Sequence, residues 1–164
     1  MSAPADYSRS FGGEALGARL RRASERIDRD GTRVYAAHGV TFEQRWYGVL
    51  RQLIANGTMS VGEIAGVLRI THASVSETVR SLAAAGIVRA EAAPDDARRR
   101  DLRLTAEGEA LAARLTPLWE AFNAAAGALN DEAGDLVAAL DRLDDALDAR
   151  SMFDRIMALA PKPD

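Results

Sequence analysis

The hydrophobic positions are most regular between Ser60 and Gly86, where they recur at the spacing of α-helices. Ser60 and Glu63 form a capping-box pattern at the start of a first helix, and Thr71 can cap a second helix after a short break. Gly86 is suited to the left-handed position that ends the second helix. The apolar faces of the two helices are predicted to consist of Val61, Ile64, Ala65 and Leu68, and of Val75, Val79 and Leu82.

Two short strands are predicted to follow these helices. Ile87 and Val88 form an apolar pair, and Leu102 and Leu104 alternate with polar residues. The segment 95–100 between them contains two Asp and three Arg residues and is too polar to bury. A helix, a turn, a second helix and a basic hairpin together predict a winged helix-turn-helix, in a fold class that is mainly α with a small β wing (α+β).

Helices are also predicted before this unit. The segment from Glu14 to Ala37 has a thin apolar stripe among six arginines, so a helix there needs a partner to be stable. Thr41 and Gln44 repeat the capping-box pattern and predict a second helix that runs to about Asn56.

Two further helices are predicted after the wing. Thr105 can cap the first, and Pro117 is expected to kink it because proline removes one backbone hydrogen bond. Asn130 is predicted to start the last helix, which carries a heptad-like seam of leucines. The seam consists of Leu136, Leu140, Leu143 and Leu147. We expect the seam to form a dimer layer with the first helix; the alternative is that it covers the core of its own chain.

The length of 164 residues and the hydrophobic fraction of 48% are typical of a single domain, here residues 1–164. Within it, we expect residues 14–37 and 131–160 to form dimerisation helices. Residues 41–104 are predicted to form the winged helix-turn-helix, and residues 105–129 the connecting helix.

The net charge of −3 conceals an asymmetry along the chain. From Arg69 to Arg103 there are seven arginines against five acidic residues, whereas from Asp131 to Arg150 there are seven acidic residues against two arginines. A basic middle suits a chain that turns this segment toward a phosphate backbone. The alternative is that both runs are solvated faces.

Residue usage excludes several kinds of chemistry. The absence of cysteine removes disulfides, thiolate metal sites and thiol redox sensing. With only His38 and His72, a histidine-rich metal site is not expected. No apolar window approaches the roughly 18 residues of a membrane span, so a cytoplasmic protein without membrane contact is expected.

Three stretches of the sequence resemble the multiple antibiotic resistance regulator (MarR) family. They are Ile70–Leu82 with its Thr-His-x-x-Val-Ser start, Gly86–Val88, and Asp96–Gly108. The resemblance extends over roughly Leu16–Phe122, and its most specific part is the Asp-x-Arg-Arg-Arg wing followed by Leu-Thr-x-x-Gly. It implies a homodimeric, ligand-responsive transcription factor on a palindromic operator in double-stranded DNA.

The residues themselves also indicate DNA contacts. A recognition helix reads the major groove with its N-terminal half, which here offers hydroxyls, an imidazole and one guanidinium. Arg80 can bind guanine with two hydrogen bonds or neutralise a phosphate, and both alternatives stay open. His72 can equally cap or pack at the turn, and Glu77 is expected to pair with Arg80 at i+3. The predicted DNA-binding residues are Thr71, His72, Ser74, Ser76, Arg80, Arg98, Arg99 and Arg100.

The resemblance implies roles for further residues. By position, Asp96 resembles the acid that braces the wing in the family, and Arg98 or Arg99 the tip that enters the minor groove. Ala97 stands at a position that is often basic in the family. Family ligands are small aromatic or amphipathic molecules that bind where the dimer helices meet the winged unit. The candidates near that junction are Tyr35, His38, Trp46 and Tyr47; the alternative is that Trp46 belongs to the core and Tyr35 to dimer packing.

These observations together predict a sequence-specific, DNA-binding transcriptional regulator, with a ligand-modulated repressor as the expected type. The alternative is a winged-helix protein-interaction module that has lost DNA binding, which Glu77, Ala97 and the acidic net charge favour. An enzyme is not expected, because the sequence offers no Ser/His/Asp or Cys/His set. Neither a cofactor nor a metal is expected. The resemblance is closest to a subgroup whose head precedes an acetyltransferase; we expect no such domain here, since no Gly-rich acetyl-CoA loop occurs.

Overall fold

The computed structural model describes residues 6–92 and 100–161. These residues form two short 3-10 helices, seven α-helices and a three-stranded antiparallel sheet, which confirms the predicted fold class. The 3-10 helices are Tyr7–Ser10 and Gly12–Ala15. In chain order, the other elements are α1 (Leu16–Ala37), α2 (Trp46–Asn56), β1 (Thr58–Ser60), α3 (Val61–Leu68), α4 (His72–Ala84), β2 (Val88–Ala92), β3 (Arg100–Leu104), α5 (Ala106–Glu132), α6 (Leu136–Ala149) and α7 (Met152–Met157).

The helix-turn-helix begins at the predicted capping box. The backbone N–H of Glu63 donates to Ser60 Oγ at 3.2 Å, and the backbone N–H of Ser60 donates to Glu63 Oε2 at 2.7 Å. Helix α3 ends at Arg69, which adopts the left-handed conformation with a φ of 53°. Thr71 then caps α4 by accepting a hydrogen bond from the backbone N–H of Ser74 at 3.1 Å.

Helix α4 ends at a glycine for a conformational reason. Gly86 has a φ of 73°, and its N–H donates to the carbonyl oxygen of Ala83. The N–H of Ile87 donates to the carbonyl oxygen of Leu82, so the two bonds form a Schellman motif. This motif turns the chain directly from α4 into the wing.

The wing is joined to the helical unit by a strand that the sequence pattern did not predict. The strand order is β1-β3-β2, with both pairings antiparallel. Met59 in β1 and Ala90 in β2 both lie opposite Leu102 in β3, and Leu102 is buried. Segment 93–99, which links β2 to β3, lies outside the described residues.

The core of this unit contains an aromatic row and the inner faces of the helices. Tyr35 and Phe42 pack with ring centroids 4.5 Å apart, and Phe42 meets the edge of Trp46 at 5.6 Å. Aromatic pairs prefer such tilted and edge-on arrangements. Other fully buried side chains include Leu50, Leu53, Ile64, Val75, Leu82 and Leu102.

The capping box predicted at Thr41 and Gln44 is wrong. Helix α2 begins only at Trp46, and Arg45 precedes it without a side-chain cap. The side-chain carbonyl oxygen of Gln44 is buried and, among the described residues, has no hydrogen-bond partner, so Gln44 does not cap. The neighbouring Glu43 instead accepts hydrogen bonds from the side chains of Arg45 and Ser81.

The predicted start of the last helix at Asn130 is also wrong. Helix α5 continues through Pro117 and past Asn130 to Glu132, and α6 begins at Leu136 with Asp135 as its N-cap. The side chain of Asn130 accepts a hydrogen bond from the backbone N–H of Val137 at 2.8 Å, so it supports the start of α6 from the preceding helix. Ser151 then caps α7 through the backbone N–H of Asp154, which divides the predicted helix 131–160 again.

The chain divides into two compact units, Met1–Ala112 and Ala113–Asp164. In the first, α1 leaves Leu16, Leu20 and Ile27 exposed, as expected of a helix with a thin apolar stripe. Asp6 accepts two hydrogen bonds from the Arg22 guanidinium, at 2.9 and 2.8 Å, which hold the pKa of Asp6 well below its usual range. The segment 6–15, with its two 3-10 helices, is thereby joined to helix α1.

The second unit exposes apolar side chains on two helices. On α6, Leu136, Leu140 and Leu147 are exposed. On α7 the exposed apolar side chains are Met152, Phe153, Ile156 and Met157. No helix within residues 6–92 and 100–161 is both long enough and apolar enough to cross a membrane.

Candidate nucleic-acid interface

The hydroxyls at the start of α4 are used to build the helix. Thr71 Oγ1 and Ser74 Oγ are 2.8 Å apart, in addition to the capping bond between Thr71 and the Ser74 N–H. The buried hydroxyl of Thr78 donates to the carbonyl oxygen of Ser74 at 3.0 Å. Thr71 and Ser74 remain exposed, but their hydrogen bonds fix the helix start, which presents backbone N–H groups to an anion.

Three other predicted residues form one row on α4. His72, Ser76 and Arg80 are spaced four residues apart, so they lie on the same helical face. Ser76 Oγ lies 3.4 Å from His72 Nδ1. The side chains of His72 and Arg80 are exposed and that of Ser76 is half-buried. This row combines an imidazole, a hydroxyl and a guanidinium, all of which can hydrogen-bond to base edges or phosphates.

The predicted ion pair between Glu77 and Arg80 is wrong. Glu77 Oε1 instead accepts a hydrogen bond from Arg45 Nη1 at 2.7 Å. Arg45 directly precedes α2 and lies 32 residues away in sequence, so only the tertiary fold brings the two together. Arg80 has no ion-pair partner in the part of the chain that the structure describes.

Arg45 belongs to a larger set of polar side chains, which we name the Glu43 cluster: Glu43, Arg45, Trp46, Glu77 and Ser81. Glu43 Oε2 accepts from Arg45 Nε at 2.6 Å, and Glu43 Oε1 accepts from Ser81 Oγ at 2.9 Å. Ser81 Oγ accepts in turn from Trp46 Nε1 at 3.1 Å. The hydrogen bonds from Arg45 and then Ser81 hold the pKa of Glu43 below its ordinary value of 4.5. Sequence reasoning missed this cluster as a unit, because its members are scattered over two segments.

The described part of the wing is basic but internally paired. Arg89 Nε and Arg103 Nη1 lie 2.9 and 3.5 Å from the Glu91 carboxylate. Arg100 is exposed at the start of β3. The predicted wing residues Asp96, Arg98 and Arg99, together with Ala97, lie outside the described residues.

The residues predicted to bind a ligand occupy different environments. Tyr35 and Trp46 are buried in the core, as the alternative interpretation had it for Trp46. His38 is exposed, with Nδ1 2.9 Å from the carbonyl oxygen of Val34, and Tyr47 is half-buried. No three His, Cys, Asp or Glu side chains within residues 6–92 and 100–161 are placed to hold a metal ion.

An open groove of about 320 Å³ lies elsewhere in the first unit. Its apolar side is formed by the end of α2 at Leu53 and Ile54, and Leu104 extends that surface. Arg103 and Glu109 supply opposite charges at the same groove. Such a lining suits a small molecule with an apolar body and one polar group.

The middle of the chain matches a known family. Residues 38–99, which contain α2, α3, α4 and β2, match the model of the MarR family. Over these residues the winged helix-turn-helix is similar to the MarR family. The resemblance seen in the sequence is thereby confirmed. No curated protein matches the chain significantly.

Solved structures with the MarR-type fold cover most of the chain. BpsR of Bordetella bronchiseptica, whose DNA binding is regulated by 6-hydroxynicotinic acid, is 26% identical with a TM-score of 0.66; the match covers 87% of this chain and 99% of BpsR. The transcriptional repressor CouR, solved on a 23-mer DNA duplex, is 28% identical with a TM-score of 0.63, covering 80% and 93% of the two chains. MepR of S. aureus, solved with DNA, shares the fold at 19% identity and a TM-score of 0.67, covering 80% and 97%.

Proposed function

We propose that this chain is a DNA-binding transcriptional regulator of the MarR family that acts as a homodimeric repressor on a palindromic operator. The observation that carries the proposal is the row of His72, Ser76 and Arg80, with His72 and Arg80 exposed, on a capped helix that leads directly into a basic wing. A recognition helix of this kind places its first turns against base edges in the major groove.

Arg80 is the residue to which we assign base reading. Its guanidinium is exposed and unpaired in the described part of the chain, and it follows His72 and Ser76 on the same face. A guanidinium binds the O6 and N7 atoms of guanine with two hydrogen bonds, the commonest specific contact to DNA. We therefore propose that each half-site contains a guanine read by Arg80, while Thr71 and Ser74 contact phosphate near the helix start.

The wing supplies the second contact in this proposal. Arg98 or Arg99 enters the minor groove, Asp96 braces the hairpin, and Arg100 contacts the adjacent phosphates. The pairing of β3 with both β1 and β2 supports it, because this sheet ties the hairpin to the helical unit. Arginine is favoured in a narrow minor groove by its enhanced negative potential.

The exposed apolar side chains support a homodimer. Leu16, Leu20 and Ile27 on α1, and the leucines of α6, are exposed in the single chain. Exposed apolar patches of this extent usually mark interaction sites. We propose that a second copy covers α1 and the segment 131–160, so that two recognition helices face two half-sites.

A small aromatic acid is the ligand class that we propose for regulation. BpsR, which is similar over most of the chain, has its DNA binding regulated by 6-hydroxynicotinic acid. His38 and Tyr47 remain candidates for ligand contacts at the junction of α1 and α2. Tyr35 and Trp46 are buried and pack in the aromatic core beside them. The groove beside Arg103 is a second candidate, since a guanidinium can pair with a carboxylate.

The decisive experiment is a binding assay on the DNA upstream of the chain's own gene. We expect footprinting to reveal two protected half-sites, and affinity to fall steeply as the salt concentration rises. Sequence-independent binding would contradict a specific regulator. Absence of any DNA retention in dilute buffer would contradict the proposal altogether and favour a winged-helix protein-interaction module. Titration with 6-hydroxynicotinic acid and related aromatic acids then tests the ligand class.

A further inference from the structure

The Glu43 cluster joins the chain before α2 to the middle of the recognition helix. Arg45 Nη1 binds Glu77 at 2.7 Å, and Ser81 Oγ binds Glu43 at 2.9 Å, so two successive turns of α4 are held from the same short segment. Trp46 completes the connection, because its ring packs in the aromatic row while its Nε1 donates to Ser81. The cluster thus links the hydrophobic core to the partly exposed face of α4.

The ion pair between Arg45 and Glu77 offsets an unfavourable negative charge on α4. A carboxylate on a DNA-reading helix repels phosphate, and Glu77 is one residue from Ser76 in the reading row. Its bond to Arg45 occupies Oε1 and offsets its charge locally. Glu77 is therefore engaged within the protein rather than directed to a base.

We propose that Glu43 and Arg45 are positioning residues for DNA reading, because through Glu77 and Ser81 they set the orientation of α4. The orientation of α4 in turn determines the specificity of the row formed by His72, Ser76 and Arg80. The inference rests on the proposed function, because it concerns the same recognition helix. Hydrogen bonds at both Glu43 and Glu77 restrict the Arg45 guanidinium, and a restricted guanidinium fixes its partners more closely than a flexible cation does.

Orientation matters more for specific than for nonspecific binding. Base contacts require the side chain and the base edge to meet within hydrogen-bond geometry, whereas phosphate attraction tolerates small rotations of the helix. Loss of the cluster should consequently lower the ratio of operator affinity to nonspecific affinity. It should not change how many phosphates the protein neutralises.

The test is a double-mutant cycle with Arg45→Gln, Glu77→Gln and the double variant, measured on the footprinted operator and on a scrambled duplex. We expect each single variant to lower the ratio of operator to nonspecific affinity about fivefold. The double variant should lower it no further than the single variant that has the lower ratio. Arg51→Gln is the matched control, since Arg51 is an exposed arginine on α2 outside the cluster. It should leave the ratio unchanged.

Salt dependence separates positioning from direct contact. If Arg45 bound a phosphate, Arg45→Gln would flatten the slope of log affinity against log salt by about 0.9. An unchanged slope with a lowered ratio supports the proposal, whereas a flattened slope overturns it. An unchanged or increased ratio in Glu77→Gln also overturns it, because removal of a repelling charge would then be the only effect.

A readout without DNA keeps the inference distinct from the proposed function. The chain has two tryptophans, so its two indole N–H resonances can be assigned with Ser81→Ala, which removes the acceptor of Trp46. We expect Arg45→Gln to shift the Trp46 resonance and leave that of Trp119 in place. An unmoved Trp46 resonance overturns the inference. If the wild-type protein ignores DNA but Arg45→Gln still shifts the Trp46 resonance, the proposed function alone is overturned. The cluster would then still position α4.

Discussion

Thr105 donates a hydrogen bond from its hydroxyl to the carbonyl oxygen of Gly86 at 2.6 Å, which fixes the start of α5 to the turn that ends the recognition helix. The backbone N–H of Thr105 donates to the carbonyl oxygen of Ile87, and the Thr105 hydroxyl accepts from the N–H of Gly108. The Leu-Thr-x-x-Gly motif therefore has a structural role: it joins α4, the wing and α5 at one point.

Gly108→Ala tests this junction. A Cβ at Gly108 would collide with the carbonyl oxygen of Ile87, and a backbone oxygen cannot move aside cheaply. We expect a loss of roughly 1–3 kcal/mol in the free energy of unfolding, measured by urea denaturation at fixed protein concentration. Gly66→Ala in α3 is the control: open space surrounds it, so alanine should raise stability by up to about 1 kcal/mol. Equal effects at the two glycines would contradict the role of the junction.

Arg80→Ala tests base reading by the row on α4. If Arg80 binds guanine, its loss should weaken operator binding by about 1–3 kcal/mol and relax specificity at one position of each half-site. Competition with operators substituted at single positions measures both effects. Arg142→Ala, which removes one arginine from the acidic helix α6, should change neither. Uniform weakening on all sequences would instead make Arg80 a phosphate contact.

The paired substitution Arg98→Ala with Arg99→Ala tests the wing. Because the minor groove distinguishes few base pairs and an arginine there also offsets phosphate charge, we expect weaker binding across all duplexes and a flatter salt dependence. Gel-shift titrations at several salt concentrations provide both quantities. An affinity equal to that of the wild type would exclude a part for these arginines in DNA binding.

Leu140→Asp with Leu147→Asp tests the proposed dimer layer. Both leucines are exposed on one face of α6, and burying two new carboxylates against a second copy is strongly unfavourable. Sedimentation should therefore show monomers. Arg142→Asp adds a carboxylate to the polar face of the same helix and should leave the dimer intact. A dimer that survives the leucine substitutions, or one that survives deletion of residues 131–164, would refute this interface.

Glu43 gives the stability a defined pH dependence. Its pKa is lower in the folded chain than its ordinary value of 4.5. The contribution of Glu43 to the free energy of unfolding is therefore present above pH 4.5 and is lost as the pH falls through the folded-state pKa. Glu43→Gln should therefore lower the melting temperature at pH 7, and the difference from wild type should shrink below about pH 4.5. A difference that is constant between pH 7 and pH 3 would show that the Glu43 carboxylate does not act through its charge.

Local sequence patterns determined most of the helix-turn-helix. Ser60 and Glu63, Thr71, and Gly86 act within a few residues of their own positions, so their capping chemistry is visible in the sequence and was confirmed. The resemblance to the MarR family was confirmed as well, because its motifs are contiguous. The assignment of DNA-binding residues remains a prediction, and Arg98 and Arg99 lie outside the described residues.

The tertiary structure alone decided which polar groups meet. Glu77 pairs with Arg45 rather than Arg80, and Glu43 bonds to Ser81, across 32 and 38 residues of sequence. The periodicity of the sequence does not encode such pairs. An exposed carboxylate can pair with any of several nearby cations, and only the fold fixes the distances between the carboxylate and each cation. The strand β1 (Thr58–Ser60) also depends on the tertiary structure. Three residues are too few to show alternation in the sequence, and their pairing with β3 creates the strand.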